Sequence, residues 1–77
     1  MADTPPVYRI DARGFHCPVP TLKLRKALAE QTGFNHFVLQ ADDPMARIDV
    51  PHFCNENRLT LMDAQETEDG WTFTIHR

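Results

Sequence analysis

Asp11-Ala12-Arg13-Gly14-Phe15-His16-Cys17-Pro18-Val19-Pro20-Thr21-Leu22 is the stretch on which the reading of the fold turns. Before it, Val7 to Asp11 alternates Tyr8 and Ile10 with Arg9 and Asp11, the period-two pattern of a short strand. Within it, Ala12 to His16 contains Gly14 and reads as a loop. A helix is expected over 18–31. Pro18 suits the first helical position, where an N–H would go unpaired in any case, and Gly33 is placed to end the helix. On a helical wheel Pro20, Thr21, Leu24, Ala27 and Leu28 share an arc that would face a core, with Lys23, Lys26 and Glu30 opposite. Val19 and Leu22 fall on the polar side near the helix start, where they either form a small exposed apolar patch or tuck under a loop.

Working outward, His36 to Ala41 alternates Phe37, Leu39 and Ala41 against His36, Val38 and Gln40, which predicts a second strand. Asp42-Asp43-Pro44 is a turn or cap cluster. A shorter helix is expected to begin near Asp49 as N-cap, with Pro51 in its first turn and Val50, Phe53 and Cys54 as its buried stripe. Leu59 to about Glu66 and Trp71 to His76 read as two further strands joined by a hairpin turn at Glu68-Asp69-Gly70. The order βαβαββ leaves two amphipathic helices in need of an apolar sheet face. A two-layer α/β sandwich of the α+β type satisfies that need, with a parallel first pair and an antiparallel last pair.

The 77 residues fit one domain, expected over 7–77, with Met1 to Pro6 as a flexible polar lead-in. So short a chain has little interior to spare, so its chemistry belongs on the surface. A net charge of −3, with no basic run beyond Lys23, Arg25 and Lys26, argues against direct nucleic-acid binding. No stretch is apolar enough to span a bilayer and Met1 to Pro6 has no signal-like core, so a soluble cytoplasmic protein is expected, without a membrane partner. The two cysteines are then expected to be reduced. They are too few for a metal-site pattern and no His or Cys neighbours give ligand spacing, so no metal and no resident cofactor are expected.

Cys17 carries the chemistry. A residue before proline is pushed out of the α region, which suits an N-cap, so Cys17 is expected at the mouth of the first helix. The positive end of the helix dipole there favours thiolate over thiol. Pro18 and Pro20 remove two of the N–H groups that a helix start exposes, which stiffens the turn. A stiff, protruding sulfur meets a protein partner without an ordering cost. The competing reading of any lone cysteine is a small buried hydrophobe, and Cys54, on one face with Val50 and Phe53, fits that reading. A Cys17–Cys54 redox pair is a further reading, though it lacks a C-x-x-C spacing. His16 either raises the thiolate fraction or simply faces solvent. Asp11 and Asp42 are expected to hold the loop by hydrogen bonds. Arg13 and Arg47 are candidates to flank an anionic sulfur, or are solvated surface charges.

Asp11-Ala-Arg-Gly14-Phe-His-Cys17-Pro18-Val-Pro20 followed by Leu22-Lys-Leu24-Arg-Lys-Ala-Leu28 resembles the TusA-like (SirA-like) sulfur-carrier family. The likeness continues through Ala41-Asp42-Asp43-Pro44 and Asp49-Val-Pro51-His-Phe53-Cys54. Cys-Pro-x-Pro with Gly three residues before Cys is its most specific element. The resemblance implies a four-stranded mixed sheet with two helices on one face. It also implies that Cys17 is the persulfide-forming nucleophile of a sulfur relay, with Gly14, Pro18, Val19 and Pro20 in support. The sulfur would come from a cysteine desulfurase or another sulfurtransferase and pass to an acceptor protein, for tRNA thiolation, molybdenum-cofactor supply or sulfur metabolism. The carrier is expected to act as a monomer. A thiol redox or regulatory module using Cys17 is the alternative. Two departures stand out. Ile48 occupies a position where many relatives carry a basic residue, with Arg47 one earlier, and Asn55-Glu-Asn57-Arg58 replaces a stretch where relatives often carry Gly or His.

Overall fold

The alternation along 36–41 becomes an inner strand of a sheet in the computed structural model, which describes residues 6–16 and 18–77. The elements are β1 (Val7–Asp11), α1 (Val19–Glu30), β2 (His36–Ala41), α2 (Ala46–Glu56), β3 (Thr60–Thr67) and β4 (Gly70–His76). The four strands lie in the order β1-β2-β4-β3, with β1 parallel to β2 and the other two pairs antiparallel. Apart from Pro6, the expected lead-in lies outside the described residues, as does Cys17.

Register explains which face is buried. Phe37 stands opposite Ile75 and Leu39 opposite Phe73. All four are fully buried, and period-two geometry puts them on one face. Leu24 and Ala27 of α1, and Ala46, Val50, Phe53 and Cys54 of α2, complete the same core with Ile10. At about 25 cal/mol per Å² of apolar surface removed from water, this shared layer is the main favourable term in folding. The opposite face carries Arg9, Val38 and Thr74 in one row, and His36 beside His76 in another. At the β3 edge the register shifts between Leu61 and Asp63, leaving Met62 exposed.

Both helices differ at their ends from expectation. Helix α1 starts at Val19, so Pro18, not Cys17, holds the N-cap place, and Pro20 is the proline inside the first turn. Gly33 is not its terminator. The helix closes at Gln31, whose N–H reaches Ala27 O at 2.8 Å. The part-buried carbonyls at and just after that last turn meet Arg77, whose guanidinium donates to Leu28 O at 2.7 Å, Gln31 O at 2.7 Å and Phe34 O at 2.9 Å. Helix α2 starts at Ala46, three residues before the expected Asp49 cap, with Met45 as N-cap and Pro51 inside the helix. The early start is held by N–H donation from Ala46 to Asp43 O and from Arg47 to Pro44 O, bonds of the tighter 3₁₀ type. Proline is tolerated in the second turn because Val50, Phe53 and Cys54 bury the helix face around it.

The end of α2 is a Schellman turn. The Leu59 N–H donates to Cys54 O at 2.8 Å, and Arg58 takes the left-handed conformation at φ 58°. Leu59 thus leaves β3, where it was expected, and packs against the core. The β3–β4 hairpin turns through Glu68 and Asp69, with Thr67 opposite Gly70. Gly70 is required by close approach, since a Cβ there would run into the carbonyl oxygen of Ala41 and would lie 2.8 Å from Asp42 Cα.

Candidate functional site

Parallel pairing of β1 with β2 brings their C-terminal ends together, and the segments around position 17 are built from that junction. Ala12 is fully buried and donates its N–H to Gln40 O at 2.8 Å, which carries the ladder one residue past β1. The chain then turns at Gly14, whose φ of +85° lies in the left-handed region that glycine enters without a steric penalty. The Gly14 N–H donates to both carboxylate oxygens of Asp42, at 3.0 and 2.9 Å. His16 Nδ1 lies 3.4 Å from Asp43 Oδ2, while the Asp43 Oδ1 accepts the Met45 N–H at 3.0 Å. The two aspartates after β2 therefore hold the loop after β1 and start α2 at once. Asp42 was read as a loop-bonding residue. Its partner, 28 positions away, had no signature in the sequence.

On the far side of position 17, the Pro18 carbonyl accepts the Leu22 N–H at 3.1 Å and the Thr21 hydroxyl at 2.9 Å. Val19 donates its N–H back to His16 O at 3.0 Å. Among the described residues, no acidic side chain lies in the first turn of α1 and none caps it. The positive end of this helix is therefore left uncompensated among the described residues, a setting that favours an anion. Cys17 itself lies outside the described residues.

The charged candidates separate. Arg13 folds back onto Asp11, donating Nε to Oδ1 and Nη2 to Oδ2, both at 3.0 Å. That fork of hydrogen bonds holds the Asp11 carboxyl down at about 2. Arg13 is thus paired with Asp11 at the end of β1. Arg47 sets its guanidinium 5.9 Å from the Trp71 ring centroid. Of the two readings of His16, the structure shows the solvent-facing one, with a side chain 96% exposed. Cys54 is buried, and burial pushes its thiol up, as expected for an inert core cysteine.

Val19 and Leu22 divide. Val19 is half-buried, whereas Leu22 is 52% exposed. Phe15, Met45 and Ile48 are exposed as well, with Phe15 beneath the Lys23 ammonium at 4.7 Å. The loop after β1 and the starts of both helices therefore present apolar side chains to solvent. Met45 carries no local signature of this role, because α2 was expected to begin after it.

Among the described residues, no helix is long and apolar enough to cross a membrane. A model of the family described as "Sulfurtransferase TusA" matches residues 8–77. Among solved structures, the chain is similar to a SirA-like protein from Desulfitobacterium hafniense, at 22% sequence identity and a TM-score of 0.73. That match covers 92% of this chain and 95% of the other. The likeness extends to the two helices and the mixed four-stranded sheet.

Proposed function

This chain belongs to the TusA sulfurtransferase family, and from that premise we propose that Cys17 carries sulfane sulfur as a persulfide between a donor protein and an acceptor protein. The observation that carries the reading is the family match across 8–77, which runs through Cys17 and the prolines after it. The Asp42–Gly14 hook and the uncompensated start of α1 support it, since both suit a fixed, anion-favouring segment.

The transfer is a pair of exchanges at sulfur. The Cys17 thiolate attacks the outer sulfur of a donor persulfide. A Cys17 S–S bond forms, the donor S–S bond breaks, and the donor cysteine leaves as thiolate. An acceptor thiolate then repeats the attack on the outer sulfur, and Cys17 leaves as thiolate. No external oxidant or reductant is consumed, and the rate depends on thiolate fraction and access. A cysteine desulfurase or another sulfurtransferase is the donor of this class. The acceptor decides whether the sulfur reaches tRNA thiolation, molybdenum cofactor or another sulfur pathway. A reducing compartment such as the cytoplasm suits the free thiol.

In its internal-disulfide form the redox alternative needs a second reactive thiol. Cys54, buried and with its thiol pushed up, is poorly suited to supply one. The test is incubation with a desulfurase and sulfur-labelled cysteine. Label should appear on the chain in non-reducing gels and vanish on adding dithiothreitol. If the chain instead converts to an internal disulfide without gaining label, the redox reading replaces this one.

A further inference from the structure

His36 and His76 are 40 positions apart in the sequence, and only the β2–β4 register makes them neighbours. They stand directly opposite each other on the sheet face turned away from the core, since Phe37 and Ile75 beside them point inward. Both are half-buried, with ring centroids 4.5 Å apart and planes inclined at 56°. Val7 flanks the pair on β1 and Thr60 on β3, so the adjoining strands place no charge opposite either ring. Among the described residues neither imidazole is paired with a carboxylate.

We propose that His36 and His76 form a two-imidazole site for a borderline divalent transition-metal ion, of the class Ni²⁺, Cu²⁺ or Zn²⁺. Neutral imidazole suits these ions. Directly opposed residues on an antiparallel pair have Cβ atoms about 4.5–5.5 Å apart. Two rings on such a base converge on one ion at metal–nitrogen distances of about 2.0–2.1 Å. The observed ring separation is of the size that two adjacent ligands on one ion require. No third His, Cys, Asp or Glu among the described residues joins the pair. The bound ion therefore keeps its other positions for water or an incoming ligand and exchanges readily.

The site is separate from the Cys17 segment. His36 opens β2, whereas Asp42 follows Ala41 at its other end, which lies about 16 Å from His36 at about 3.3 Å per residue. Metal at the histidines and sulfur at Cys17 can thus be read independently.

The test is titration of the full chain with NiCl₂, followed by amide NMR. Sub-stoichiometric Ni²⁺ should first broaden the amides around His36 and His76, and one ion should bind per chain. His36→Gln and His76→Gln should each weaken binding about tenfold or more, since each leaves a single imidazole. His52→Gln should leave the affinity unchanged. Chemical shifts elsewhere in each variant report whether it has folded. Broadening centred on His16, His52 or position 17, or an affinity that neither substitution at the pair alters, would overturn the proposal.

Discussion

Both carboxylate oxygens of Asp42 accept the backbone N–H of Gly14, tying the loop after β1 to the loop after β2. A hydrogen bond to a charged group contributes about 1.5–3 kcal/mol when sheltered and less at an exposed site. Asp42→Ala is expected to cost about 1 kcal/mol, a fall in Tm of about 4–8 °C for a chain of this size. The larger effect should be on transfer. A loosened Cys17 segment loses orientation, and a misplacement of this kind lowers the initial rate of persulfide uptake by about tenfold or more. Asp42→Asn keeps one acceptor and should recover part of the rate. Uptake at the wild-type rate in Asp42→Ala would show that the hook does not position the sulfur.

Asp11 should titrate well below an ordinary carboxylate. The Arg13 side-chain hydrogen bonds stabilise its charged form and lower it from 3.8 to about 2. A group whose folded value is depressed contributes stability above its unfolded value and loses it as pH falls through the folded one. The Asp11–Arg13 contribution is therefore complete above about 3.8 and disappears between there and about 2. Carboxyl ¹³C NMR should place the midpoint near 2, and Arg13→Ala should return it towards 3.8. A midpoint unmoved by that substitution would dissociate the pair.

The strands and the burial pattern were legible because period-two alternation along 36–41 and 71–76 leaves one register in which Phe37, Leu39, Phe73 and Ile75 share a face. Helix ends were less legible. Asp49 reads as a cap by residue type, but Asp43 and Pro44 offer their carbonyls to Ala46 and Arg47 and start α2 earlier. Gly33 reads as a stop, but the last carbonyls of α1 are satisfied from 46 residues away by Arg77. For the site, Gly14 and Asp42 could each be picked out by type. Their union depends on the register of the parallel β1–β2 pair, which no local pattern encodes. Arg13, a candidate to flank the sulfur by its place in the sequence, forks onto Asp11.

Arg58→Gly should stabilise the fold. Arg58 holds φ at 58°, a conformation that costs a side-chain-bearing residue about 1–2 kcal/mol. Glycine removes that strain but gives back part of the gain through the greater freedom of the unfolded chain. The net expectation is a rise of about 0.5–1 kcal/mol in urea denaturation at unchanged m-value. A loss of stability would mean that the Arg58 side chain makes a compensating contact.

Arg77→Ala should act in the opposite direction. It strips donors from Leu28 O, Gln31 O and Phe34 O and removes the guanidinium 5.1 Å from the Phe37 ring centroid. With these atoms part-buried, the expected loss is about 2 kcal/mol. Hydrogen exchange should show the last turn of α1 opening first, before the sheet. Arg77→Lys should recover only a fraction, because an ammonium lacks the planar fork that reaches three carbonyls. Equal rescue by lysine would mean that charge alone closes the helix.

We propose that one sulfur, that of Cys17, carries the cargo. Intact mass after incubation with a cysteine desulfurase and cysteine tests it most directly. Wild type and Cys54→Ser should each gain one adduct of roughly 32 Da, one sulfur atom, and Cys17→Ser should gain none. An adduct retained in Cys17→Ser, or no adduct on wild type while a control carrier is loaded in the same reaction, would rule out Cys17 as the carrier.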